Sequence, residues 1–198
     1  MEYTLLGAIL LFLILSLSSV EWKEGYRDSE RLTCIESTVN GKKYCVRERY
    51  NPLLAVNLLA KTTEKMKRLA SHVSESDPSN EMGKRFLRYF NPDKIAETLP
   101  TSDYTAYSEN KGKNLAFCLN KKKEDNEELI DENTLMFVAI HEMAHIGTYS
   151  NGHTDEFWQN FKYLLEKAVH LNLYVAVDYR KTSVDYCGMT LNTTPYFT

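Results

Sequence analysis

Two histidines and a glutamate in residues 138–145 have the types and spacing of a metal site. His141 and His145 are four residues apart, so on a helix they stand one turn apart on the same face, and both imidazoles can reach one cation. Glu142 follows the first histidine and can reach a water on that cation without binding the cation itself. The pattern predicts a Zn²⁺ site in which Glu142 acts as general base towards a zinc-activated water, the chemistry of peptide-bond hydrolysis.

A catalytic zinc site needs a third protein ligand and one open coordination position. His153 is the expected third ligand, because it follows the break at Gly152 and opens the next predicted helix, where a tight reversal can bring it over the first two histidines. Glu166, on that following helix, is the alternative. The competing interpretation, two satisfied core histidines beside a surface Glu142, is disfavoured because the flanking residues predict a buried helix, in which unpartnered rings are costly.

Two blocks of the sequence resemble the WLM and SprT-like zincin metallopeptidases. Their motif is HExxH, a variable gap, and then a His followed after a short spacer by Phe or Trp, which here corresponds to residues 141–145 and 152–158. The similarity covers roughly residues 105–169. It implies a zincin-like fold, a protein or peptide substrate, and a cleft-lining edge strand over residues 115–120 that pairs with the substrate. Residues 184–189 resemble metallopeptidases encoded by large DNA viruses.

The departures from related patterns are also informative. Thr148 and Asn151 occupy the places where metzincins need Gly and His, which excludes that subfamily. WLM and SprT-like proteins mostly act on protein crosslinked to DNA, but the net charge of -3 provides no basic field for a polyanion, so no nucleic-acid partner is expected. The residue that stabilises the oxyanion stays unassigned, because 13 tyrosines leave too many choices.

The N-terminal segment is strongly apolar. Residues 3–20 contain no charged side chain, and as a helix they would extend about 27 Å, close to the hydrocarbon thickness of a bilayer. We therefore expect a membrane anchor over residues 1–20, followed by a polar stalk over residues 21–31. A cleaved signal peptide is the alternative, supported by the small residues Ser16, Ser18 and Ser19.

The charges after that segment predict which side of the membrane the chain occupies. Lys23, Arg27 and Arg31 follow the apolar run and no Lys or Arg precedes it, which favours a single-pass protein with its catalytic domain on the cytosolic side. The sequon at Asn192 and the 4 cysteines favour the alternative, a virion or secretory-pathway membrane.

Residues 32–47 predict a hairpin around Asn40-Gly41. A two-residue loop would leave Cys45 only diagonal to Cys34, whereas a four-residue loop over residues 38–41 would place the two directly opposite, near enough to bridge. Two free thiols in a reducing compartment are the alternative.

The remaining pattern predicts an α+β fold in one domain over residues 32–198, with a small, mostly antiparallel sheet packed on a central active-site helix. Helices are expected from Asn51-Pro52 to residues 74–78, around Phe86, after Asn91-Pro92, and over residues 134–146 and 154–170. A hairpin is expected around Gly112 and a strand at residues 173–178, followed by irregular chain.

These features support two hypotheses. The first is a membrane-anchored, zinc-dependent endopeptidase that acts on a protein or peptide substrate. The second is a catalytically silent, membrane-tethered structural or assembly protein, such as a virion component, that keeps the zincin fold. The enzyme is favoured because a structural zinc site normally closes all four coordination positions and has no use for Glu142.

Overall fold

The computed structural model describes residues 32–123 and 128–198. Within these ranges the helices are α1 Pro52–Ser76, α2 Glu81–Tyr89, α3 Glu132–Gly147 and α4 Asp155–His170, with a 3₁₀ turn at Pro195–Phe197. The strands are β1 Leu32–Glu36, β2 Lys43–Arg47, β3 Ile95–Glu97, β4 Ala106–Glu109, β5 Asn114–Phe117, β6 Val184–Tyr186 and β7 Met189–Leu191. The predicted α+β class is confirmed.

The main sheet has three strands in the order β3-β5-β4. β5 pairs antiparallel with β4 through the predicted hairpin around Gly112, and parallel with β3 on its other side. The segment expected to be the substrate-pairing edge, residues 115–120, therefore begins in the central strand, and that prediction is wrong. The outer strand on the hairpin side is β4.

Helix α3 lies at the centre of the fold, as predicted. It contacts α1, α2, α4 and β4, because its sequence is apolar on almost every face and most of its side chains are buried. The Asp131 side chain caps its N-terminus by accepting a hydrogen bond from the Thr134 backbone N–H at 2.9 Å. At the start of α1, Pro52 occupies the first turn and the Asn51 side chain makes no capping hydrogen bond.

Two further elements differ from the prediction for local reasons. After Pro92 the chain forms a turn and then β3 instead of a short helix, because the Asn91 side chain accepts a hydrogen bond from the Asp93 N–H at 3.0 Å and starts an Asx turn. At residues 173–178 the backbone is irregular. The Asn133 side chain accepts a hydrogen bond from the Val175 N–H at 2.8 Å and donates one to the Val175 carbonyl oxygen at 2.9 Å. A side-chain amide thus replaces a strand partner.

The C-terminal segment, predicted to be irregular chain, forms a hairpin. β6 and β7 pair antiparallel, with Tyr186 opposite Met189. The two-residue turn consists of Cys187 and Gly188, with φ values of 51° and 79°, as a type I′ turn requires.

The four cysteines form two disulfides. Cys34 lies directly opposite Cys45, the register expected for the four-residue loop, and the two are bridged. The second bridge, Cys118–Cys187, joins the end of β5 to the turn of the C-terminal hairpin and was not predicted. Disulfides are typical of oxidising environments, which does not agree with the predicted cytosolic side.

The predicted membrane anchor and stalk, residues 1–20 and 21–31, lie outside the described residues. Within residues 32–123 and 128–198, no helix combines the length and apolar character needed to cross a bilayer. Helix α3 is apolar but has 16 residues, about 24 Å against a hydrocarbon core of about 30 Å. The described residues therefore do not support the transmembrane helix in the predicted fold or the single-pass membrane location, and the prediction is corrected to what they show, an α+β domain.

Candidate metal centre

Three histidine rings converge at the C-terminal half of α3. The Nε2 atom of His141 lies 3.2 Å from Nε2 of His145 and 3.1 Å from Nε2 of His153. Nitrogens bound at 2.0–2.1 Å around a tetrahedral ion would be about 3.3 Å apart, so the three rings fit one Zn²⁺. The structure thus brings together the three residues that the sequence predicts as metal ligands.

The group of side chains able to hold a metal consists, in the described part of the chain, of these three histidines. Glu166, the alternative third ligand, is exposed on α4 and does not belong to the group. A tetrahedral ion held by His141, His145 and His153 would keep one position for a non-protein ligand, which is the arrangement of catalytic rather than structural zinc sites.

The loop that carries His153 is fixed from two sides. The Lys111 Nζ donates hydrogen bonds of 3.2–3.3 Å to the carbonyl oxygens of Thr148, Tyr149 and Ser150, just past the end of α3. These contacts satisfy three carbonyl oxygens and place a positive charge near the negative end of the helix dipole. Lys111 itself was not singled out from the sequence, where it is visible only as part of a turn next to Gly112.

Glu156 holds the other side of the same loop. Its carboxylate accepts hydrogen bonds from the backbone N–H groups of Tyr149 and Ser150 at 3.0 and 3.2 Å. Gly152 then takes a φ of 79°, a conformation that favours glycine. The chain can therefore reverse tightly between α3 and α4 and return His153 to the first two ligands, as the sequence predicts.

One aromatic ring contacts all three histidines. The Phe157 ring centroid lies 4.9 Å from that of His141, 4.3 Å from that of His145 and 4.7 Å from that of His153. Phe157 is completely buried in the first turn of α4. This contact gives a physical reason for the aromatic residue that follows the third histidine in the motif.

The surroundings favour the neutral form of His141 and His145. Burial, aided by the neighbouring histidines, lowers the pKa of His141 to about 3. Burial, with contributions from His153 and Lys111, lowers the pKa of His145 to about 4. Both rings are therefore neutral at neutral pH, and a neutral imidazole is the metal-binding form.

Glu142 lies beside the ligands with 6% of its surface exposed. Burial raises the pKa of its carboxyl group to about 7. A carboxyl group with a pKa near neutrality can accept a proton in one step and return it in the next.

A cavity of about 550 Å³, here called the metal-site cavity, opens over these residues. It is lined by His141, Glu142, His145 and His153, by β4, and by residues 150–152 of the loop. Its rim includes Tyr104 and Tyr107, whose rings stack edge to face at 6.3 Å. The size falls within the range of ligand-binding clefts.

No family model matches this chain, and no solved structure matches it. Similar proteins do occur in viruses. An uncharacterized protein of Acanthamoeba polyphaga mimivirus is 27% identical over 162 residues, which cover 80% of this chain and 81% of that protein. An uncharacterized protein of Invertebrate iridescent virus 3 is 36% identical over 104 residues, covering 52% of this chain and 58% of the viral protein.

A shorter match involves an uncharacterized protein of Invertebrate iridescent virus 6, which is 40% identical over 62 residues, 31% of this chain and 35% of that protein. None of these relatives has a described activity that could be compared with the metal centre. The resemblance to WLM and SprT-like peptidases stays a prediction based on the residues of this chain.

Proposed function

We propose that this protein is a zinc-dependent endopeptidase in which His141, His145 and His153 hold Zn²⁺ and Glu142 is the general base. The observation that carries the proposal is the convergence of three imidazole nitrogens, with adjacent pairs 3.1–3.2 Å apart, beside a buried carboxylate at an open cavity. The resemblance to WLM and SprT-like metallopeptidases supports the same chemistry.

The metal, Glu142 and the histidines have different roles in the proposed reaction. When bound, Zn²⁺ supplies a Lewis acid that polarises a carbonyl oxygen and lowers the pKa of water. Glu142 is next to the first ligand in the chain and lines the same cavity, so it can take the proton of the attacking water and pass it to the leaving amine. His141 and His145 are held rigidly because both stand on the buried helix α3.

The substrate is a peptide segment in extended conformation. Strand β4 lines the metal-site cavity, and among the described strands it pairs with β5 on one side only, so the main-chain groups of its other edge can pair with a further strand. This edge takes the place of residues 115–120, which were expected to pair with the substrate. Pairing through main-chain groups orients a peptide across the metal centre without regard to most of its side chains.

Glu142→Gln tests the proposal. The amide cannot act as a base, so cleavage of a denatured-protein or peptide library by the zinc-loaded full chain should fall about 10²- to 10⁴-fold, while metal analysis still finds one zinc per chain. Glu166→Gln, which alters an exposed carboxylate on α4, is the matched control and should cleave at the wild-type rate.

Two results would contradict the proposal. If Glu142→Gln cleaves as fast as wild type, Glu142 is not the base. If the wild-type protein binds one zinc but cleaves nothing in the library, the catalytically silent alternative is correct. His153→Ala should lose the zinc, and retention of a full equivalent would show that His153 is not a ligand.

A further inference from the structure

A second cavity, of about 170 Å³, lies beside the metal-site cavity. Ala106, His141 and Glu142 line both cavities. The smaller cavity therefore opens next to the groups that act on the scissile bond, and a substrate crossing the metal centre would pass its entrance.

The walls of the smaller cavity are mainly apolar. Phe137 and Val138 contribute from α3, one turn before His141, and Met189 and Leu191 contribute from β7. Thr105 also lines it, but its hydroxyl donates to the Met189 sulfur at 3.4 Å and its carbonyl accepts a hydrogen bond from the Tyr186 hydroxyl at 3.1 Å. These polar atoms are engaged within the protein, so the cavity mainly offers apolar surface to a ligand.

The size of the cavity limits what it can hold. A dry apolar cavity of about 150 Å³ accommodates benzene, so this one can hold a side chain as large as that of Leu, Met or Phe. An acidic side chain would lose its hydration there and would also face the Glu142 carboxyl group, which is unfavourable.

The wall formed by β6 and β7 is a fixed part of the structure. The Cys118–Cys187 disulfide ties its turn to the end of β5. In addition, the backbone N–H groups of Cys187 and Gly188 donate to the carbonyl oxygens of Asn120 and Lys121, both at 2.9 Å. The positions of Met189 and Leu191 are therefore set relative to the metal centre.

We infer that the smaller cavity is a specificity subsite that binds one apolar substrate side chain next to the scissile bond, with Met189 and Leu191 setting its size limit. This inference rests on the proposed function and adds a substrate class to it: extended peptides with a residue of the size of Leu, Met or Phe at one fixed position. The other side chains are selected weakly.

The test uses the zinc-loaded full chain and a peptide library randomised around the cleavage site. Wild type should cleave peptides with Leu, Met or Phe at one position at least about tenfold faster than the Gly or Asp analogues. Met189→Trp should narrow the cavity and shift the preference to Ala or Val, and Met189→Ala should shift it towards Phe or Trp. Because Met189 is 46% exposed, both variants should fold, which circular dichroism verifies.

Thr190→Trp is the matched control. Thr190 neighbours Met189 in β7, is exposed, and is not among the residues that line the cavity. It should keep the wild-type preference. If both Met189 variants also cleave with the wild-type preference, the subsite is overturned while the proposed peptidase activity stands.

A binding series separates failure of the subsite from failure of the peptidase proposal. Peptide hydroxamates that differ only in the Leu or Gly side chain are titrated into the zinc-loaded protein by calorimetry. If no library peptide is cleaved, tighter binding of the Leu compound by about tenfold, lost in Met189→Trp, still supports the subsite. Equal binding of the two compounds overturns it, and absence of zinc overturns both proposals.

Discussion

This protein contains two polar clusters, and they differ in how their polar atoms are satisfied. In one, here called the ionic cluster, Arg47, Arg49 and Glu97 pair with each other and have side-chain exposures of 0%, 3% and 0%. In the other, the histidines and Glu142 face a cavity. Buried polar groups are normally saturated by the protein itself, so polar groups that instead face a cavity indicate a binding site.

The ionic cluster has a structural task. Glu97 accepts hydrogen bonds from the Arg47 backbone N–H at 2.7 Å and from Arg49 Nη2 at 2.5 and 2.6 Å. The Arg47 guanidinium in turn donates to the Thr98 carbonyl at 2.7 Å. These contacts join β2 to β3, so the cluster holds the first hairpin against the main sheet.

The largest effect on stability should come from breaking the ionic cluster. Glu97→Gln leaves two buried guanidinium groups without a counter-charge, which should lower the free energy of unfolding by about 3–5 kcal/mol. Urea denaturation measures this loss. Zinc content of the folded fraction should stay unchanged, because the cluster does not contribute ligands.

The control for that variant is an exposed ion pair. Lys121 and Glu128 pair with side-chain exposures of 44% and 57%, so Glu128→Gln should cost less than about 1 kcal/mol. Equal losses for Glu97→Gln and Glu128→Gln would show that the ionic cluster is not the structural element described above.

Removal of a disulfide should give the next largest effect on stability. The two disulfides lie in different regions of the molecule. Cys118 and Cys187 are 69 residues apart and hold a wall of the cavity beside the metal centre, whereas Cys34 and Cys45 are 11 residues apart in the first hairpin. Replacing Cys118 and Cys187 by Ser should cost about 4 kcal/mol at most, and replacing Cys34 and Cys45 about 3.

Calorimetric melting of the two double variants measures both losses. In the cleavage assay, only the Cys118/Cys187 variant should lose the preference for apolar side chains, because only its disulfide fixes β6 and β7. A similar loss of preference in the Cys34/Cys45 variant would mean that the cavity responds to general destabilisation.

The two polar clusters were not equally visible in the sequence. His141, Glu142 and His145 lie within five residues, and His153 follows the same helix after a glycine turn, so local spacing was enough to bring them together. The ionic cluster joins residues 48–50 positions apart, such as Arg49 and Glu97. The periodicities of helices and strands relate residues only a few positions apart, so they do not predict such a contact.

The same limit explains the errors around the metal centre. The outer position of β4 depends on β3 pairing with β5, but the segment after Pro92 was expected to be a helix. The edge position of residues 115–120 was implied by the resemblance to zincins and not by any pattern in the sequence. The Cys118–Cys187 bridge and the wall it holds depend on contacts distant in sequence. The Cys187-Gly188 pair was the local signal for that hairpin, because glycine readily takes the positive φ that a type I′ turn requires.

Lys111 should affect the metal centre more than the fold. Lys111→Met removes the hydrogen bonds to the carbonyl oxygens of Thr148, Tyr149 and Ser150, so the loop carrying His153 becomes less ordered. Zinc affinity should fall about 10- to 100-fold, the usual effect of removing support for a ligand. Competition with a chromogenic chelator measures it.

Lys113→Met is the matched control for Lys111→Met. It removes the same charge from the same turn, at an exposed residue. Its zinc affinity should equal that of wild type, and an equal loss in both variants would mean that only the net charge near the metal centre matters.

The smallest effect should come from the N-terminal end of α3. Asp131→Ala removes the cap that accepts from the Thr134 N–H at 2.9 Å and its hydroxyl at 2.6 Å, which should cost about 1 kcal/mol of unfolding free energy by urea denaturation. Asn51→Ala is the control, since Asn51 makes no capping hydrogen bond and its removal should cost almost nothing.

Zinc affinity should be unchanged in both variants, because the three histidines lie near or beyond the opposite end of α3, where packing on Phe157 orients them. Weaker zinc binding in Asp131→Ala would mean that the cap, and not only the packing around the ligands, sets the geometry of the metal centre.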